Sequence, residues 1–159
     1  MHARTAFAAA AASLLLVSWV APVAAQTMKS VAGTYAIVKL EGDPYGPKPQ
    51  GLMILTPDGH YSINLAASGL PKFASNSRVK GTDAENKAVI QGSIFHFGTY
   101  TVDDGGKFIT FNIKSSSFPN FDGTTQKRSL KVAGDELTYV PPVSSAGGAG
   151  QPVVWKRMK

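Results

Sequence analysis

The feature that most constrains this chain is a series of short stretches in which apolar and polar residues alternate with a period of two. One stretch reads Tyr61-Ser62-Ile63-Asn64-Leu65, and another reads Ile109-Thr110-Phe111-Asn112-Ile113. Turn-forming residues separate such stretches at short intervals, among them Pro57-Asp58-Gly59 and Asp103-Asp104-Gly105-Gly106. A period of two with frequent turns is typical of antiparallel strands that bury one face. The pattern therefore predicts an all-β sandwich or barrel.

Eight strands can be assigned on this basis. They are predicted at residues 33–40, 51–56, 60–65, 94–102, 107–115, 125–132, 136–140 and 153–157. One helix is predicted at 83–91, because Thr82 and Glu85 have the spacing of a capping box and Gly92 follows as a stop. Eight antiparallel strands can close into a barrel whose interior holds a small ligand. We therefore expect an eight-stranded antiparallel barrel with one short helix.

Residues 1–25 have the organisation of a secretory signal peptide. A weakly basic start leads into an almost wholly apolar segment, 6–20, and Val23-Ala24-Ala25 offers the small residues that a signal peptidase reads. We expect cleavage after Ala25, export to a periplasm or the extracellular space, and one folded domain at 26–159. The alternative is a retained N-terminal membrane anchor, which the shortness of the apolar run disfavours.

Composition argues against several classes of site and partner. The chain has no cysteine, which excludes disulfides, thiolate ligands and lipidation of a cysteine. Its net charge of +6 comes from dispersed Lys and Arg residues, without the interleaved aromatic residues of a nucleic-acid platform. After cleavage only His60 and His96 remain as histidines, too few for a clustered metal site, and no Gly-x-Ser-x-Gly elbow is present. We expect no metal, no cofactor and no nucleic-acid partner.

Several segments resemble, in order and spacing, the bacterial and fungal lipocalin-like domain family. They are Val31-Ala32-Gly33-Thr34-Tyr35, residues 50–62 around Thr56-Pro57-Asp58-Gly59, Gly98-Thr99-Tyr100-Thr101-Val102-Asp103, residues 118–128 beginning Phe118-Pro119-Asn120-Phe121, and Trp155-Lys156-Arg157. The chain departs from the family pattern in having Tyr35 in place of the usual Trp and no histidine at 107–110. The resemblance implies a small lipocalin-like, calycin-type barrel that binds a small molecule inside, and it implies no common chemistry.

Arg128 is the sharpest candidate for a binding residue. Leu130 and Val132 on the same strand should face the core, and alternation then places Gln126 and Arg128 on that inner face. A guanidinium inside a barrel needs a partner, because burying an unpaired charge is costly. The partner is either an internal carboxylate or a carboxylate or carbonyl group of a ligand.

The strand at 94–102 allows two orientations. If His96 and Tyr100 face inward, an imidazole and a phenol line the interior, where they can bind a polar group or transfer a proton. If Phe95 and Phe97 face inward, His96 is a surface residue. Alternation alone permits both assignments.

The function that these patterns favour is binding of a small, largely apolar molecule in the exported compartment. We expect apolar inner residues such as Phe111 to give affinity, with polar groups setting the orientation of the ligand; the polar candidates are Arg128, Gln126, Tyr61, Tyr100 and His96. One alternative is a barrel enzyme of isomerase or cyclase type, which acts on a small hydrophobic substrate with His96 as its acid–base group and Tyr100 as a second catalytic candidate. Another is a filled barrel that binds a protein partner.

Three further expectations concern the ends of the barrel. Leu70 and Phe73, in the irregular segment 66–80, are positioned in sequence to cover one mouth. Residues 144–150 read as a flexible loop because they are rich in Gly and Ser. Arg157 stacked on Tyr35 would join the last strand to the first.

Overall fold

The computed structural model describes residues 25–40 and 44–159, and its strands form a closed antiparallel barrel. The strands are β1 (Gly33–Leu40), β2 (Gln50–Leu55), β3 (His60–Ala66), β4 (Ser93–Val102), β5 (Phe108–Ser116), β6 (Thr125–Ala133), β7 (Glu136–Val140) and β8 (Val153–Arg157). Each strand pairs with the next in sequence, and β8 pairs with β1 to close the barrel. The predicted fold class is confirmed, and the predicted strands differ from these by no more than one residue at either end. The predicted signal peptide, apart from its last residue, lies outside the described residues.

Helical turns accompany the strands in the described part of the chain. The predicted helix is present as α2 (Asp83–Gln91), where the Thr82 N–H donates to the Glu85 carboxylate at 2.7 Å and the Glu85 N–H donates to the Thr82 hydroxyl at 3.3 Å. Two single turns were not predicted, α1 (Met28–Val31) and the 3-10 turn Pro119–Phe121. One turn is too short for a helical hydrophobic period to appear in sequence. Among the described residues, no helix is long and apolar enough to cross a membrane.

The connections between strands give the barrel two unlike ends. At the closed end, tight hairpins join β2 to β3, β4 to β5 and β6 to β7, and α1 packs there with Val31 fully buried. At the open end, the connections are longer, and their described residues are 44–49, 67–92, 117–124 and 141–152. Binding residues concentrate on loops that a rigid scaffold positions. The open end is therefore where a ligand site is expected.

Arg157 joins β8 to β1 and to α1 at the closed end. Its guanidinium carbon lies 4.8 Å from the centre of the Tyr35 ring, which confirms the predicted stacking. The guanidinium also donates hydrogen bonds to the carbonyl oxygens of Ala32 and of Ser30, the latter at 2.9 Å. The Tyr35 hydroxyl donates to the Val31 carbonyl oxygen at 2.6 Å. These bonds hold the N-terminal turn against the barrel.

The register between β3 and β4 decides which face of β4 points inward. Ile63, which is fully buried, lies directly opposite His96, and directly opposed residues share a face of the sheet. His96 and Tyr100 are accordingly buried, whereas Phe95 and Phe97 are 46% and 41% exposed. Of the two orientations that alternation permitted, the one with His96 inside is correct.

Large side chains fill the interior toward the closed end. The most deeply buried include Trp155, Tyr35, Tyr100, Tyr139, Phe111 and Met53. Burial of each such side chain contributes about 1.5–3 kcal/mol to folding, and the rings pack edge to face, as Tyr61 does on Phe111 with centres 4.6 Å apart. Toward the open end, the side chains leave a cavity.

Candidate ligand-binding site

A cavity of about 220 Å³ lies at the open end of the barrel. Strands contribute Leu65, Ile94, Val153, His96, Gln126 and Arg128 to its wall, and the loops add Tyr45, Phe121 and the segment 141–151. The volume is below the roughly 300–1,000 Å³ of pockets that take drug-sized ligands. The cavity therefore suits a small molecule, on the scale of a single substituted ring.

Arg128 lines this cavity and is only 4% exposed. The structure places both Gln126 and Arg128 inside the barrel, as their alternation with Leu130 predicted. The Nη2 atom of Arg128 donates to Oε1 of Gln126 at 2.8 Å, and the guanidinium carbon lies 4.7 Å from the ring centres of both Phe111 and Tyr139. The two ring faces offset part of the cost of burying the charge.

The buried guanidinium has no carboxylate beside it in the part of the chain that the structure describes. No Asp or Glu lines the cavity, and the ion pair found among these residues, His60 with Asp58, lies elsewhere on the surface. The Nε atom of Arg128 is buried without a hydrogen-bond partner. The internal carboxylate that the sequence left open as a partner is thus not found among the described residues.

His96 lines the cavity next to Tyr61. Its Nδ1 atom lies 2.9 Å from the Tyr61 hydroxyl, and the two rings pack edge to face with centres 5.4 Å apart. Burial, and then the charge of Arg128, lower the pKa of His96 to about 3, while burial raises the pKa of Tyr61 well above its ordinary value. Both groups are therefore uncharged near pH 7. A base with so low a pKa is poorly matched to proton transfer at neutral pH, so His96, with Tyr61 behind it, forms a polar but uncharged part of the wall.

Tyr61 and Phe111, both predicted as binding residues, lie one layer behind the cavity wall. Neither lines the cavity directly. Phe111 packs against Tyr61 on one side and under the Arg128 guanidinium on the other. Tyr61 and Phe111 therefore pack behind His96 and Arg128 and support their positions.

Tyr100 is the predicted site residue that the structure places away from the cavity. Its hydroxyl donates to the carbonyl oxygens of Thr56, at 2.8 Å, and of Met28, at 3.2 Å, both at the closed end. Burial raises the pKa of Tyr100 to about 12. The two catalytic candidates of the enzyme alternative, His96 and Tyr100, therefore lie at different levels of the barrel. Tyr100 instead attaches α1 to the barrel.

The cover over the mouth also differs from the one expected. Leu70 and Phe73 do not line the cavity; Leu70 lines a separate surface groove, and Phe73 packs beside Gly81. The residues at the mouth are Tyr45 and the segment 141–151, which folds back on itself through a backbone bridge between Val143 and Ala149. Its Gly- and Ser-rich composition gave no sign of this role.

Metal binding has no evident location in the described residues. No group of three or more His, Asp and Glu side chains lies close enough to hold an ion there. The chemistry that the cavity offers is therefore hydrogen bonding and charge from Gln126 and Arg128, beside an apolar wall.

Comparisons with known proteins agree with this geometry. A family model described as a lipocalin-like domain matches residues 28–158, from α1 to the end of β8. A 4'-hydroxy-3'-methoxypropiophenone carrier protein from Aspergillus oryzae (strain ATCC 42149 / RIB 40) is 29% identical over 94 residues, which cover 54% of this chain and 85% of that protein. The family match spans the entire barrel. The chain therefore belongs to the lipocalin-like domain family.

Proposed function

We propose that this protein is an exported binding protein that holds a small, largely apolar molecule inside its barrel. The observation that carries the proposal is the open-end cavity, in which an apolar wall meets a few convergent polar groups. Such a combination is typical of small-molecule sites, where apolar area gives affinity and polar groups fix orientation. Leu65, Ile94 and Val153 supply the apolar area, and Gln126 and Arg128 supply the polar groups.

Family membership and the carrier relative support ligand binding in the barrel. The relative is named for a one-ring phenolic ketone, a molecule of the size class that the cavity suits. We therefore propose that the ligand is a one-ring aromatic compound. The relative's own compound is a sensible first probe.

The exported location rests on the sequence of residues 1–25. It is tested by fractionating the host cells and sequencing the N-terminus of the recovered protein. We expect a chain that begins at Gln26 in the periplasm or the medium. Recovery of the protein in the cytoplasm with Met1 in place would contradict export.

Native mass spectrometry of the protein purified from its own host tests ligand binding. We expect a retained small molecule whose mass identifies it. Val153→Phe places a ring in the cavity wall and should abolish retention, whereas Val154→Phe adds the same ring on the outer face of β8, one residue along, and should not. Equal retention by both folded variants would show that the molecule binds elsewhere, and an empty wild-type protein would count against a carrier.

A further inference from the structure

We infer that the ligand carries one carboxylate, which binds directly to the guanidinium of Arg128. The inference rests on the proposed function and narrows it, from a small and largely apolar molecule to an organic monoanion with an apolar body. It follows from the charge, the hydrogen bonding and the packing around Arg128.

The first step is the charge balance of the cavity. Arg128 is 4% exposed and carries a guanidinium cation. No Asp or Glu lines the cavity in the described chain, and burial keeps His96 neutral and Tyr61 protonated near pH 7. The other titratable group that packs on the guanidinium, Tyr139, is also kept protonated, because burial raises its pKa. The site therefore holds one net positive charge that the described protein does not neutralise.

The second step is the hydrogen bonding of the guanidinium. Gln126 accepts from Nη2, the Tyr139 hydroxyl is a further polar neighbour of the guanidinium, and Nε is buried without a partner among the described residues. A buried donor without a partner costs about 1–3 kcal/mol, more for a charged group. A planar carboxylate accepts two parallel N–H bonds from a guanidinium, which a single carbonyl oxygen does not. The part of the guanidinium that lines the cavity thus favours a carboxylate over a ketone or an amide.

The third step is the fixed position of the guanidinium. It lies between the rings of Phe111 and Tyr139, at 4.7 Å from each centre, and Gln126 holds its edge. A cation held in this way loses little entropy when a ligand binds. If the side chain at 128 served only to fill the core, an apolar residue of similar size would do so without the free-energy cost of burying a charge. The arrangement therefore fits a preformed anion site better than a structural core.

The experiment compares an acid with its neutral counterpart. Isothermal titration calorimetry at about pH 7.5 measures binding of 3-phenylpropionate and of 3-phenylpropanamide, which share the ring and the chain length. We expect the acid to bind at least about tenfold more tightly, a difference of about 1.4 kcal/mol. Phenyl phosphate, as a third probe, tells a planar carboxylate from a tetrahedral anion and should bind more weakly than the acid.

Variants identify the cation responsible. Arg128→Met should remove the preference for the acid, whereas Lys127→Met, which removes the same charge from the exposed neighbouring position, should leave the preference unchanged. Arg128→Lys retains the positive charge but lacks the two parallel N–H donors of a guanidinium. It should reduce the preference for the acid to an intermediate value. Circular dichroism shows whether each variant is folded. If Arg128→Met does not fold, the Arg128→Lys variant still tests the inference.

The outcomes separate this inference from the proposed function. Equal binding of the acid and the amide, both blocked by Val153→Phe, would overturn the carboxylate and leave the cavity proposal standing. If the preference for the acid were undiminished in the folded Arg128→Met and Arg128→Lys variants, the carboxylate inference would also be overturned. Binding that Val153→Phe does not weaken, or a failure of the acid, the amide and the phosphate all to bind, would count against the cavity as the ligand site and against both proposals.

Discussion

The Nη2 atom of Arg128 donates a 2.8 Å hydrogen bond to Oε1 of Gln126, two residues before it on the inner face of β6. Because residues two apart on a strand share a face, the cation and its acceptor come from one short segment. The hydrogen bond between Gln126 and Arg128 therefore depends on the geometry of β6 and not on the conformation of the surrounding loops. The Nε atom of Arg128 is buried without a partner among the described residues.

Gln126→Leu should lower the free energy of unfolding by about 1.5–3 kcal/mol, because it removes a hydrogen bond to a buried charge. The same substitution made in an Arg128→Met background should cost much less, since the charge is then absent. Urea denaturation of the four proteins gives the coupling energy as a double-mutant cycle. An equal cost in both backgrounds would mean that Gln126 acts through packing and not through Arg128.

Arg128→Met should raise the stability of the ligand-free protein by about 1–4 kcal/mol, because an apolar side chain replaces a buried cation that lacks a counter-charge. The measurement is thermal or urea unfolding without ligand, at pH 7. Lys127→Met is the control; its exposed ammonium lies 4.2 Å from the centre of the Phe108 ring, so a loss of no more than about 1 kcal/mol is expected. A large loss of stability in Arg128→Met alone would show that the guanidinium stabilises the empty barrel.

The stability of the protein should fall in mild acid because of His96. Its pKa is lowered to about 3 in the folded state, against about 6.5 when unfolded, so the unfolded chain takes up the proton first as the pH falls. The contribution of His96 is complete above about pH 6.5 and is lost toward pH 3, with a slope of up to about 1.4 kcal/mol per pH unit.

The His96 prediction is checked by urea unfolding at about pH 7, 6, 5 and 4. His96→Gln should flatten the decline between about pH 6 and pH 4. His60→Gln, at a side chain that is 66% exposed, should keep the wild-type slope. If the two variants gave the same profile as each other, His96 would not be the group responsible.

Tyr100→Phe should destabilise the closed end without affecting ligand binding. The substitution removes the hydroxyl that donates to the carbonyl oxygens of Thr56 and Met28, at a cost of about 0.5–1.5 kcal/mol. Hydrogen exchange of the Val31 and Ala32 amides should accelerate, because α1 is held less firmly. Weaker binding at the cavity would contradict the placement of Tyr100 at the opposite end.

Gly98→Ala should destabilise the barrel by about 1–3 kcal/mol or more. A Cβ at this position would collide with the backbone carbonyl oxygen of Asn112 on β5, next to the point where the β4–β5 register shifts. Gly69→Ala, where no atom lies within 4 Å of the added carbon, should be nearly neutral. Similar melting temperatures for the two variants would show that the strands can separate at little cost.

Alternation predicted the inward face wherever the two faces of a strand differ in polarity. In β3, apolar Tyr61, Ile63 and Leu65 alternate with polar residues, and the inward face was evident. In β4, Phe95 and Phe97 alternate with His96, so one face is as apolar as the other. The pairing with β3 decides the orientation there, and pairing is a long-range property that a single strand does not encode.

Depth along the barrel was harder to predict than direction. Tyr61 and Tyr100 both alternate inward, yet one lies behind the cavity wall and the other at the closed end. A period of two indicates the face of the sheet on which a side chain lies, but not its position along the barrel axis. The cover at Tyr45 and 141–151 was missed because residues nearly a hundred positions apart meet there only after the barrel closes.

The chain enters the barrel through α1 and leaves it after β8, and both of these lie at the closed end. A solid support, a membrane or a second domain joined at either point would hold the barrel by its base, with Tyr45 and the segment 141–151 facing outward. Immobilised in this orientation, the protein would expose its mouth to solution, which is the geometry that a surface-bound sensor or capture reagent requires.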